Sequence, residues 1–115
     1  IAFHLMPFYT NARKQVVKTP KLYFYDTGLL CHLLGIRTVE ALVAHPKFGD
    51  IFENLIIAET MKQHLNANQE PQLFFYRDAS KVEVDLLDFT DPNNRMLIES
   101  NPDKPIMTGS PAISL

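Results

Sequence analysis

Two short segments flanking one dense turn hold the residues best suited to chemistry. Val82 to Phe89 alternates, setting Val82, Val84 and Leu86 against Glu83, Asp85 and Leu87. Arg95 to Ser100 sets Met96 and Ile98 against Leu97 and Glu99. Between them, Thr90-Asp91-Pro92-Asn93-Asn94 is turn chemistry. In an antiparallel hairpin centred on Pro92, Asp85 and Glu99 lie equally far from the turn and face each other. Directly opposed residues have Cβ atoms ~4.5–5.5 Å apart, so their carboxylates would repel unless something compensates. A divalent cation is one compensation, since Mg²⁺ takes one or two carboxylates together with water and phosphate oxygens. Glu53, near the start of a long helix, would supply a third oxygen donor. Lys-Val-Glu-Val-Asp is equally the pattern of an ordinary half-solvated strand, so the acids alone leave a plain surface reading open.

Other groups offer less. Arg13, Lys14, Lys18 and Lys21 form a basic stretch without an intervening acid, near Tyr9, Tyr23 and Tyr25, and could contact nucleic-acid phosphates or serve as a solvated connector. Arg77 beside Asp78 reads as a surface pair. The four histidines, His4, His32, His45 and His64, lack metal-ligand spacing. Serine-nucleophile motifs and a phosphate-binding glycine loop are both missing, so this chain has no ATPase motif of its own.

The elements that must position the acids follow from periodicity. Residues 1–9 read as an edge strand stopped by Pro7, and Leu22 to Tyr25 as a short aromatic strand entered from Pro20. Asp26 or Thr27 caps a helix through Leu29, Leu30, Leu33 and Leu34 to Gly35. A second short helix spans Val39 to Ala44. The strongest helix runs from Asp50 to about Leu65. Its apolar residues cover more than half the circumference, so it packs on more than one side, leaving a sector with Glu53, Thr60 and His64. Leu73 to Tyr76 is a further strand. Residues 101–115 carry three prolines and little periodicity and are expected to be irregular.

At 115 residues the chain is one domain, with an ordinary globular composition and a formal net charge of −2. Any nucleic-acid binding would therefore need a local patch. Cys31, the single cysteine, sits in an apolar run and reads as a small buried hydrophobe in a reducing, cytoplasmic setting. No apolar run approaches the ~20 residues of a membrane span. The opening Ile-Ala-Phe-His-Leu-Met-Pro is no signal peptide and reads as an internal cut in a longer protein.

Several phrases, in order, carry a family resemblance: Val17 to Leu29 (VKTPKLYFYDTGL), Leu33-Leu34-Gly35-Ile36, Gly49-Asp50-Ile51-Phe52-Glu53-Asn54, Phe75-Tyr76-Arg77-Asp78, Glu83-Val84-Asp85 and Leu97-Ile98-Glu99. From Pro7 to Glu99 the chain resembles the C-terminal domain of unknown function that follows the motor of prokaryotic AAA+-type ATPases. That domain is similar in turn to the restriction-endonuclease-like superfamily. The resemblance implies an α+β (α/β-like) fold with a central mixed sheet and flanking helices. It also implies a nuclease-like domain over residues 1–100 and a catalytic, Mg²⁺-binding set of Glu53, Asp85 and Glu99. The superfamily's Glu-x-Lys puts both side chains on one strand face, with one holding metal and the other supplying charge. Here the run is Glu99-Ser100-Asn101, so the lysine is absent. Lys104 and Lys81 are the conceivable substitutes. After Glu99 the chain leaves the pattern, so the implied core would be truncated and its open edge would favour a homodimer.

Three functions are consistent with these residues. The domain is a degenerate nuclease-like accessory module that binds DNA or protein, an active Mg²⁺-dependent endonuclease, or a structural module docked on the ATPase portion. In none of them does the chain meet a membrane.

Overall fold

The computed structural model describes residues 1–9, 18–101 and 104–109. Among these residues, six strands form one mixed sheet in the order β2-β1-β3-β4-β5-β6. They are β1 (Ala2–Pro7), β2 (Lys21–Phe24), β3 (Leu73–Arg77), β4 (Glu83–Asp88), β5 (Met96–Asn101) and β6 (Lys104–Gly109). Only β1 and β3 pair in parallel; the other neighbours are antiparallel. The first segment is therefore an interior strand, not the edge its position and Pro7 imply. Pro7 is accommodated because the parallel ladder with β3 ends at Pro7↔Phe75, beyond which the Phe8 amide donates to Phe75 O. The segment expected to be an irregular tail contains the end of β5 and all of β6.

Among the described residues, three helices accompany the sheet: α1 (Thr27–Leu33), α2 (Val39–Ala44) and α3 (Phe48–Asn66). Asp26 caps α1 by accepting from the Leu29 amide at 3.2 Å, and Thr38 caps α2 through the Ala41 amide at 3.0 Å. Gly35 takes φ 76° just past α1, where the Ile36 amide returns to Cys31 O, a close that a side chain would strain. Cys31 itself is half-buried rather than enclosed. α3 begins at Phe48, two residues earlier than its apolar period indicates, and it contacts β2, β5, α1 and α2.

The main core lies between α3 and one sheet face and includes Leu5, Tyr23, Ile57, Phe75, Leu86 and Ile98. A second cluster on the other face joins Tyr76, Val84 and Leu87 to Phe8, Phe74, Phe89 and Leu97. Val84 and Leu87 share this face although three positions separate them, which strict alternation forbids. The cause is a bulge. The β3–β4 register shifts between Phe74↔Leu87 and Tyr76↔Val84, so β4 spends one residue more than β3 there. Leu86 faces α3, and Asp85 is the extra residue beside it.

Candidate functional site

The bulge decides which acids meet. The β4–β5 hairpin pairs Leu86↔Ile98, Leu87↔Leu97 and Asp88↔Met96, the register expected about Pro92. One further step would set Asp85 opposite Glu99, but the ladder stops where β4 bulges. Asp85 lies on the α3 side, and its charge acts on both Glu53 and Tyr23. Glu99 follows Ile98, which belongs to the α3-side core, so period two turns Glu99 to the opposite face, where it is exposed. The expected triad of Glu53, Asp85 and Glu99 is therefore divided, two acids on one side and one on the other. Among the described residues, no three of His, Cys, Asp and Glu gather as metal ligands.

A lysine completes the first pair. Lys21 on β2 brings Nζ to 3.5 Å from Glu53 Oε1, with both side chains about four-fifths buried (21% and 17% exposed). The same ammonium lies 5.0 Å from the Phe75 ring centroid, a cation–π distance. Glu53 Oε1 is sealed from solvent and has no hydrogen bond of ordinary geometry, so the ion pair is its main polar contact. Burial raises the Glu53 pKa above the usual carboxylate range; the Lys21 charge opposes the shift, Asp85 adds to it, and the neighbouring Tyr23 hydroxyl lowers it. Burial, and then the Glu53 charge, push the Tyr23 phenol far above its ordinary value. Lys21, Tyr23 and Glu53 border an open groove of about 540 Å³ between β2, α1 and α3, to which Lys47, Asp50 and Arg77 also contribute.

Lys21 was grouped by sequence with solvated basic residues, and the structure corrects that by turning it inward. Lys18, its exposed neighbour, sits 5.3 Å from the Tyr9 ring centroid, while Arg13 and Lys14 lie outside the described residues. Lys81, a conceivable substitute, is exposed in a turn at φ 66°. Arg77 pairs with Glu83 at 3.6 Å, not with Asp78. Asp78 instead accepts from the Tyr76 hydroxyl at 2.8 Å and from the Ser80 and Val82 amides.

Two polar residues with defined roles escaped sequence reasoning. Asn54 is 3% exposed, and its amide holds the outer edge of β2. Its Oδ1 accepts from the Phe24 amide at 2.9 Å, while Nδ2 donates to Phe24 O at 3.0 Å and to Thr27 Oγ1 at 3.0 Å. His64, near the end of α3, places Nε2 2.6 Å from Asp88 Oδ2 and Nδ1 2.7 Å from Gln69 Oε1. Both ring nitrogens face acceptors, which favours the doubly protonated ring. Desolvation lowers its pKa, but hydrogen bonds to Asp88 and Gln69 with the Asp88 charge raise it on balance. A signal for these contacts exists. Glu53, Ile57, Thr60 and His64 recur at i, i+4, i+7 and i+11, the spacing of a packed stripe, and Ile57 is fully buried.

The chain is similar to proteins of undefined role. Residues 48–103 match a family described as a domain of unknown function (DUF4143). Residues 1–40 match a second domain of unknown function (DUF8612). Uncharacterized proteins of Mycobacterium bovis and Mycobacterium tuberculosis are each 37% identical over 82 residues, which is 71% of this chain and 18% of theirs. The chain thus spans less than a fifth of the length of those relatives. No solved structure matches it. Among the described residues, no helix is long and apolar enough to cross a membrane.

Proposed function

We propose that this chain is a nuclease-like accessory domain of a longer prokaryotic ATPase, with a restriction-endonuclease-like core. It has lost the cutting centre and works by binding a DNA backbone. The observation behind this reading is the split of the three acids, with Glu53 and Asp85 on the α3 side and Glu99 on the other. In-line hydrolysis of a phosphodiester needs a metal-held water and a charge clamp on one side of the substrate. Glu53 and Asp85 fit as Mg²⁺ ligands in chemical type, yet two carboxylates beside an ammonium are a poor seat for a dication. Lys47 and Arg77 at the groove, with exposed Lys18 nearby along the chain, offer phosphate contacts that need no metal.

Fluorescence anisotropy with a labelled duplex tests this. Affinity should fall steeply with salt, as release of counterions requires, and should be indifferent to Mg²⁺. Binding that is absent at low salt refutes the reading. Metal-dependent cleavage would restore the active-endonuclease alternative.

A second observation favours docking on the ATPase portion. Neither α1 nor α2 buries a residue, and Leu33, Val39 and Val43 are 63%, 71% and 59% exposed. In the longer protein, Val39→Ser with Val43→Ser should alter oligomeric state by light scattering if this surface sets it. An unchanged mass removes that role.

A further inference from the structure

We propose that Lys21 is the resident cation of the Glu53–Asp85 pair, a built-in occupant that excludes divalent metal from the site. This rests on the preceding reading of Glu53 and Asp85 as the remnant metal-binding carboxylates. The acids come from two elements, α3 and the β4 bulge, and a third element, β2, delivers the ammonium 3.5 Å from Glu53 Oε1 and 5.0 Å from the Phe75 ring centroid, while the Asp85 charge acts on the same Glu53. A metal ion bound to Glu53 would sit ~2.0–2.1 Å from its oxygen if Mg²⁺. The ammonium at 3.5 Å from the same oxygen already fills that approach. The stem of Lys21 is largely buried, so the head group cannot swing clear as a surface lysine does. Oε1 is also cut off from water, and the cation supplied by the chain balances its charge where solvent does not reach. The same lysine accounts for a chain that keeps two acids together without a Glu-x-Lys lysine: the positive charge enters from β2 instead of β5.

The test is Mn²⁺ calorimetry on four forms of the chain: wild type, Lys21→Met, Lys21→Arg, and Lys21→Met combined with Asp85→Asn. Met keeps an apolar stem against Phe75 and removes the charge. Lys21→Met should gain one stoichiometric site at least ten-fold tighter than any in wild type, and the added Asp85→Asn should abolish it. Lys21→Arg should behave as wild type. A folded Lys21→Met that binds Mn²⁺ no better than wild type overturns the proposal, as does a wild type that already binds equally well. Should Lys21→Met fail to fold, Lys21→Gln serves as the second variant. Wild type alone gives another reading, because Mn²⁺ should not broaden the Tyr23 and Phe75 ring resonances by NMR; broadening at stoichiometric Mn²⁺ overturns the proposal too. Duplex binding is scored separately. Its loss refutes DNA recognition and leaves the lysine result standing, whereas intact duplex binding with no unmasked metal site sinks the lysine proposal alone.

Discussion

Asn54→Ala should be among the most damaging single changes in this chain. The amide makes three hydrogen bonds, two of them to the backbone of Phe24 and one to Thr27 Oγ1, at a site only 3% exposed. Truncation leaves the Phe24 N–H and C=O without their partner, and a buried unsatisfied group costs about 1–3 kcal/mol. Because β2 is an edge strand, water will recover part of that loss, so a total near 3 kcal/mol is expected, equivalent to about 12 °C in Tm for a domain of this size. Urea denaturation followed by circular dichroism measures it, with an unchanged slope confirming that the two-state comparison holds. Thr27→Val removes only one of the three bonds and should cost about 1 kcal/mol. In Asn54→Ala, where that bond is already gone, the same change should cost much less. An Asn54→Ala variant within 0.5 kcal/mol of wild type would refute the claim that this amide holds the strand.

The pH dependence has two separable parts. His64 has a raised pKa in the folded state. Its contribution is therefore complete below the ordinary histidine value of 6.5 and is lost as pH rises through the folded value. Urea midpoints from pH 5.5 to 9 should fall less in His64→Gln than in wild type, and equal slopes would count against the His64–Asp88 contact. Glu53 is also raised, so the folded state binds its proton more tightly, and stability declines as pH climbs above the usual value of 4.5. Glu53→Gln should flatten this decline in thermal melts taken from about pH 4 to 8; a decline as steep as that of wild type would rule out Glu53 as its source. Asp85→Asn should lower the Glu53 pKa by removing a neighbouring negative charge, which carboxyl-carbon NMR titration would detect.

Local rules carried far in some places and not in others. The α2 limits were legible because Thr38 caps one end and His45-Pro46 closes the other, and the α1 start because Asp26 offers the capping oxygen. The hairpin register about Pro92 was legible for the same reason: turn chemistry is local. Facing is a different matter. Period two gives the side of every residue only while the strand is regular, and the extra residue at Asp85 inverts the parity between Val84 and Leu87. No local pattern marks that bulge, so the turn specifies the register of Asp85 and Glu99 but not the faces they take. Strand order was equally hidden. β1 lies between β2 and β3 through a parallel pairing with a segment more than sixty positions away in the chain, a contact that propensity does not encode. Lys21 belonged by sequence to a basic stretch, and only its alternation with Leu22, 58% exposed, indicates that one of the two must point inward.

The Asn54 clamp also limits how this sheet can grow. An edge strand normally offers its unpaired amides and carbonyls to any extended chain that comes near. On β2 the outward-facing groups of Phe24 are occupied by a side chain from the domain's own helix, so an incoming strand finds at most the Leu22 position there before the ladder is interrupted. Asn54 thus behaves as a chain terminator for β-pairing. Among the described residues, the β2 edge of this sheet is interrupted for strand exchange or fibrillar stacking by the domain's own side chain, with β6 as the opposite edge.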